Sequence, residues 1–478
     1  MSLRKPGNRR IRSHARVVLA AGWALAAVAA NAQTLPPPPA SPRQSASSFQ
    51  GSVATGEVSP QPIELSLDDA IQRGLKNNLG VILSSTQISG ARGRRLSELQ
   101  ALLPSVDFSA SATVSQVDLP AEGFRIPGFP RTIGPFGYAD LRAKLSWSLV
   151  NVNSLRTYLA ARHSFAAATL TAQDARDMVV LTVGNAYLLV LADQTRVSSV
   201  EAQAATAKVS LDQAVANHQA GTAPLLDELR ARVDAQTIDQ ELIAAKNSRE
   251  KDKLALARVI GLPLAQHFTL SDQVPYAVFD RPEVIAAIQQ ARLNRKDLAA
   301  LMEQNHAAEE QRKAATADRY PTVKFDGDYG DIGPTLGHSH GTGNATGTLS
   351  VPLFKEYGFR GEAAVAQSQL DTSRAQLSDM NAQVDADVRD ALLDIASAEQ
   401  EVEVAKSSVD LANEALSEAQ QRYKAGVSDN LAVSQAQASV AQANDQYVAS
   451  LYRDNVAKLS LARAMGAGQD YKNYLGGK

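Results

Sequence analysis

The second half of the chain carries a heptad stripe: Val384, Val388, Ala391, Ile395, Ala398, Val402, Ala405, Val409, Ala412, Leu416, Ala419 and Tyr423. Its steps alternate four and three without a slip. A sustained 3.5-residue period predicts a long helix wound along other helices. Moving back 205 residues gives a second stripe: Val179, Val183, Ala186, Val190, Asp193, Val197, Val200, Ala204, Ala207, Leu211, Ala214 and His218. Only Asp193 and His218 are polar. At the same offset Leu254-Ala-Leu-Ala-Arg-Val-Ile-Gly261 matches Leu459-Ser-Leu-Ala-Arg-Ala-Met-Gly466, and Ala220-Gly221 matches Ala425-Gly426. Register kept over that distance predicts an internal duplication.

Each copy predicts the same order of elements. In the first, Ser66-Leu-Asp-Asp69 caps a helix from about Leu65 to Leu103, which Pro104 stops. The period then changes to two: Val106, Phe108, Ala110, Ala112 and Val114 alternate with Asp107, Ser109, Ser111 and Thr113. That is a strand with one apolar and one wet face. A Gly- and Pro-rich loop is expected over 116–137. A second strand places Leu141, Ala143, Leu145, Trp147 and Leu149 on one face. The long helix follows over 154–220, and a shorter one over 224–260. The second copy predicts a helix over 282–319, strands around Val323, Phe325 and Tyr329 and around Leu349, Val351 and Leu353, and a loop over 330–343 between them. Helices over 357–425 and 429–465 complete it. The units expected are repeats at 63–268 and 269–468, with hairpins at about 105–149 and 322–354. A Pro/Ser-rich segment at 33–62 precedes them and a tail at 469–478 follows.

The strands are about ten residues long, the length of a tilted membrane-crossing strand (~9–11 residues). Val106, Phe108, Val114, Leu145, Trp147, Val323, Phe325, Leu349 and Val351 are therefore the expected lipid-facing residues. Four strands cannot close a membrane barrel, and an open edge in lipid leaves backbone groups unsatisfied. Several copies must contribute. Aromatic residues make up 5% of the chain and alanine is common at the seams, which suits a thin wall of closely spaced helices.

The N-terminus adds a destination. Arg4, Lys5, Arg9, Arg10, Arg12 and Arg16 precede an apolar run, Val17 to Ala30, and Ala30-Asn31-Ala32 fits a cleavage site, so 1–32 reads as a signal peptide. It holds six of the 48 Lys and Arg and none of the 50 Asp and Glu, leaving 42 basic against 50 acidic residues, a net charge of −8. That balance argues against a nucleic-acid partner. The chain has no cysteine, hence no disulfide, no thiolate metal site and no lipidated N-terminal cysteine. After Ala32 no apolar stretch is long enough for a membrane helix, because Thr182, Gly184 and Asn185 break the best one. Entry into a membrane must be by strands.

The duplicated order of helix, Pro, hairpin, long helix, Gly and helix resembles the outer-membrane efflux protein family of TolC-like export channels. The resemblance rests also on Tyr423-Lys-Ala-Gly426, on the two Leu-Ala-Arg-x-x-Gly endings, and on the openings Leu67-Asp-Asp-Ala70 and Pro282-Glu-Val-Ile285. It implies a mixed α+β membrane protein in the bacterial outer membrane with a long periplasmic extension. It implies a homotrimer sharing a 12-stranded β-barrel and a 12-helix hollow barrel, and hence contact with outer-membrane lipid. It further implies a periplasmic adaptor and an inner-membrane pump as partners. The tips Ala220, Gly221, Ala425 and Gly426 would dock into the adaptor. Tyr423 matches a gate tyrosine, and Asp227 matches a gate acid six residues after the first tip glycine. Ser428 stands where the family reference has arginine, and Ala432 and Gln435 stand where some members have acids. Arg422 and Asp429 are the substitutes expected, giving a gate of Asp227, Arg422, Tyr423 and Asp429.

Chemistry of other kinds lacks a pattern. His338-Ser-His340, near Asp326, Asp328 and Asp331, reads as a plain polar loop. There is no His-Glu-x-x-His and no phosphate-binding Gly-rich loop. The expectation is a passive gated conduit with no catalytic residue, metal or cofactor. A periplasmic adaptor or coiled-coil scaffold is the alternative, but it would not need duplicated alternating strands.

Overall fold

The computed structural model describes residues 48–272, 276–428 and 430–475. The expected signal peptide and Asp429 lie outside them. The element order is β1 (Ile63–Leu65), α1 (Leu67–Asn77), α2 (Leu79–Gln100), β2 (Ser105–Asp118), β3 (Thr132–Val150), α3 (Val152–Gln219) and α4 (Leu225–Ile260). β4 (Phe268–Leu270), α5 (Val284–Asn294), α6 (Lys296–Ala317), β5 (Thr322–Gly333), β6 (His340–Ser350), α7 (Glu356–Lys424), α8 (Asn430–Ala464) and α9 (Lys472–Leu475) follow. At 68 and 69 residues, α3 and α7 each span ~100 Å at about 1.5 Å per residue.

The stripes do what their period requires. From Val384 to Ala405 every stripe residue of α7 is buried, and from Val409 to Tyr423 each is half-buried. In α3, Val179, Val183, Val190, Val197, Val200, Ala207 and Ala214 are buried. The helices thus pack most deeply at mid-length. There lie two apolar cores, one around Ile71, Val183, Tyr187, Leu256 and Ile260, the other around Ile288, Val388, Ile395 and Leu461.

The single helices expected over 65–103 and 282–319 are each two helices. Asn78 ends α1 and starts α2: its Nδ2 donates to the Phe49 carbonyl at 2.7 Å, and its Oδ1 accepts from the Gly80 amide at 2.9 Å. Arg295 breaks the second repeat with the same extended backbone but without a side-chain cap. A C-terminal glycine packs into each break. A Cβ on Gly261 would come within 2.6 Å of Asn77 Cβ, and one on Gly466 within 2.7 Å of the Arg295 amide nitrogen. Both also have positive φ, 74° and 70°. The Leu-Ala-Arg-x-x-Gly endings are therefore the points where α4 and α8 seat against the helix breaks.

Three further differences are informative. Residues 48–62 are strapped down: Phe49 is buried, Leu79 N donates to the Gly51 carbonyl at 2.9 Å, and Thr55 N donates to the Gly261 carbonyl at 3.0 Å. β1 and β4 form a short parallel pair, Ile63 opposite Phe268 and Leu65 opposite Leu270, which joins the beginning and end of the first repeat. The expected loop over 330–343 is mostly strand, because its glycines serve close backbone approach. A Cβ on Gly330 would lie 2.2 Å from the Leu141 carbonyl oxygen. Likewise the first loop shrinks to 119–131, since β2 continues past a bulge between Ser115 and Val117.

Candidate functional site

Each long helix ends in the same turn. Gly221 N donates to the His218 carbonyl at 2.9 Å and Thr222 N to the Asn217 carbonyl at 2.9 Å. Gly426 N donates to Tyr423 O at 3.0 Å and Val427 N to Arg422 O at 3.0 Å. This paired closure satisfies the last helical carbonyls and requires a left-handed residue, supplied by Gly221 (φ 74°) and Gly426 (φ 72°). Ala220, Gly221, Ala425 and Gly426 are all exposed, and nothing lies within 4 Å of a Cβ added at either glycine. The tips are thus free surfaces built by conformation.

The expected gate residues find separate partners within the chain. The Tyr423 hydroxyl accepts from Asn217 Nδ2 at 3.5 Å, linking the two long helices just above the turns. Asp227 is buried in the first turn of α4, with its carboxylate 3.8 Å from the Arg230 guanidinium. Arg422 is exposed. Among the described residues Asp227, Arg422 and Tyr423 share no hydrogen bond or ion pair with one another. Asn217 was not legible as a tip residue, although it occupies the same place in α3 that Arg422 does in α7.

A second polar feature lies higher on the rods. Asp193, the acidic member of the first stripe, is half-buried between α3 and α4. Burial pushes its carboxyl up, and the neighbouring Asp252 carboxyl pushes it further, against the pull of Arg196 and Arg249. A third lies at the break between α5 and α6. The Arg295 guanidinium is buried and pairs with Asp297 at 2.7 Å and with Asp387 of α7 at 2.6 Å. Arg463 of α8 reaches Asp297 at 3.5 Å and pairs with Asp174 of α3. Burial pushes the Asp174 carboxyl up to about 6, against Arg463. This network joins four helices of both repeats. Arg463 is the arginine of the second Leu-Ala-Arg-x-x-Gly ending, but its partners come from distant elements and leave no spacing signal.

The decisive geometry is the order of the wall. The four long strands pair as β2–β3–β5–β6, all antiparallel. The helices joined to them pack in the same order, α2–α3–α6–α7. One layer therefore runs from helix into sheet, with open edges at α2/β2 and at β6/α7. Facing residues in register share a side of a sheet. Val106 faces Leu145, Trp147 faces Phe325, and Val323 faces Leu349, so these apolar residues and Phe108 and Val114 lie on one side. Val351 lies one residue past the end of β6. The other side carries Asp107, Ser109, Arg142, Lys144, Asp326 and Asp328, with Arg142 paired to Asp140 and Asp328 and Ser146 donating to Asp326 at 2.9 Å. Phe108 is 71% and Val114 79% exposed. An apolar face left open beside a charged one is the pattern of a barrel wall between lipid and water.

The outer membrane efflux protein family model matches residues 71–262 and 287–467. The chain belongs to the outer membrane efflux protein family. It is 24% identical over 420 residues to the toluene efflux pump outer membrane protein TtgF of Pseudomonas putida, covering 84% of this chain and 83% of that one. It is 24% identical over 411 residues to the pyoverdine export outer membrane protein OpmQ of Pseudomonas putida, covering 84% and 86%. Among solved structures it is similar to the outer membrane protein VceC of Vibrio cholerae (TM-score 0.74, 22% identity, 84% of this chain and 96% of that chain). The Campylobacter jejuni CmeC outer membrane channel is also similar (TM-score 0.74, 18% identity, 88% and 92%). The protein is an outer-membrane channel component of an efflux system, with a long periplasmic helical extension. The expected family and fold class hold, and the adaptor alternative is set aside.

Proposed function

We propose that three copies close into one conduit, the β6/α7 edge of each meeting the α2/β2 edge of the next. The observation that carries this reading is the shared order of strands and helices, which leaves two open edges on one continuous layer. In lipid such edges leave backbone donors and acceptors without partners, at several kcal/mol per group. Closing the ring removes them. Val106, Phe108, Val114, Leu145, Trp147, Val323, Phe325 and Leu349 then face lipid, with Val351 at the rim, and the charged face lines a water-filled lumen.

Within this reading the conduit does no chemistry. An energised inner-membrane pump and a periplasmic adaptor load it from below, with the adaptor meeting Ala220, Gly221, Ala425 and Gly426. Opening separates the helix ends that Tyr423 and Asn217 hold together, with Asp227, Arg422 and Asp429 as further polar contacts at the mouth. The relatives named for toluene efflux and pyoverdine export support small organic cargo. Conductance of the purified protein in planar bilayers tests the reading. Discrete ion-conducting steps are expected; protein that inserts without conducting contradicts it.

A further inference from the structure

Two helix faces at the open edges stay uncovered, and their chemistry is complementary. On α2, Gly90, Gly93 and Ser97 lie opposite the face that packs on α3, and all three are exposed. Nothing lies within 4 Å of a Cβ added at Gly90 or Gly93. Glycine inside an exposed helix costs about 1 kcal/mol relative to alanine, so two of them one turn apart suit a partner backbone that comes close. Arg94 flanks them, exposed and without an ion pair among the described residues. On α7 the face turned away from α6 presents Ala375 and Ala382, with Asp379 between them, also exposed and without an ion pair among the described residues.

The two charges lie about one helical turn apart in height. Arg95 stacks over the Phe165 ring of α3 at 4.5 Å. His163, two residues away, meets Glu303 of α6 at 2.7 Å, and Glu309 of α6 meets Arg374 of α7 at 3.5 Å. Counting along these rods at about 1.5 Å per residue places Arg94 and Asp379 about 6 Å, roughly one helical turn, from the same level. Rotation about a ring axis preserves that level. The faces also continue the sheet edges, since β2 follows α2 and β6 precedes α7.

We infer that these faces form the periplasmic seam between copies of this chain, with the Gly90–Gly93–Ser97 face of α2 seated on the Ala375–Ala382 face of α7 from the next copy and Arg94 paired with its Asp379. This rests on the three-copy ring proposed above and names the contact that closes it. The partner is a second copy because α2 and α7 flank one layer and cannot reach each other within a chain. The seam carries its own polarity: basic on one edge and acidic on the other, it admits head-to-tail closure and disfavours pairing of like edges.

The chain has no cysteine, so a Ser97→Cys/Ala375→Cys variant carries only the two thiols introduced. Mild oxidation is expected to give covalently joined copies on a non-reducing gel. Separately, Arg94→Glu and Asp379→Arg should each lower the temperature at which the detergent-solubilised oligomer dissociates, and the double variant should regain most of the loss. A wild-type trimer that stays intact while the thiols fail to join copies, or while both reversals leave its dissociation unchanged, overturns the seam and leaves the ring standing. A monomeric wild type overturns both.

Discussion

The Tyr423 hydroxyl meets the Asn217 side-chain amide at 3.5 Å, and this contact ties the last turn of α7 to the last turn of α3. It is long for a hydrogen bond and worth less than about 1 kcal/mol net. A latch of that strength suits a mouth that must open under load. Tyr423→Phe and Asn217→Ala should each raise bilayer conductance severalfold with unchanged thermal stability, and the double variant should add little more. Conductance equal to wild type in both would remove Asn217 from the closure.

The four helix-ending glycines separate conformation from packing. Gly221→Ala and Gly426→Ala add a left-handed backbone penalty of about 1–2 kcal/mol with no clash. Gly261→Ala and Gly466→Ala add the same penalty and also drive a methyl group into the helix breaks. The second pair should lower Tm much more than the first. Thermal unfolding followed by circular dichroism checks the order.

Asp193 gives the stability a pH dependence. Its carboxyl is raised, so the folded state binds a proton that the unfolded chain releases near its ordinary value of 3.8. Stability therefore falls as pH rises from about 4 towards neutrality, as Asp193 takes on its charge in a half-buried place. Asp193→Asn should flatten this part of the profile and leave the protein more stable than wild type at pH 8. Denaturant midpoints measured between pH 4 and 8 read the slope. An unchanged slope in the variant would place the titration elsewhere.

The sheet faces differ in what they tolerate. Phe108→Arg on the apolar side should cost about 2–4 kcal/mol in a bilayer if Phe108 sits near its midplane, and should reduce heat-modifiable folded protein in outer-membrane fractions. Ser111→Arg, on the opposite side and facing Asp140 across the pair, should fold and insert as wild type does.

Arg463 of the second repeat pairs with Asp174 of the first. Removing Arg463 from this partly buried network leaves Asp174 and Asp297 undercompensated, a loss below the ~3–5 kcal/mol of a fully buried pair. Arg463→Met should show that loss, and Arg463→Lys should recover part of it, since lysine keeps the charge but cannot reach Asp174 and Asp297 as a planar fork. Chemical denaturation measures both.

What could be read from the chain alone follows the range of the interactions. The stripes, the caps and the strand alternation are set by neighbours within a few turns, and Val384 to Ala405 are buried where the period places them. Asn78 was hidden because its break depends on the Phe49 carbonyl, 29 residues away. The glycines of 330–343 looked like a loop by composition, yet they bring strand backbones together. Arg463 lay inside a recognised motif, while Asp174 is 289 residues distant. Tyr423 was legible from the Tyr-Lys-Ala-Gly turn, and its partner Asn217 was not, since a side-chain amide on a helix carries no periodic signature.

Ring closure by identical chains is what satisfies the open sheet edges in lipid. The most direct measurement is the mass of the protein extracted in detergent, by native mass spectrometry or sedimentation. Three copies in one particle is the expected result. A stable single chain that keeps both hairpins folded would contradict it.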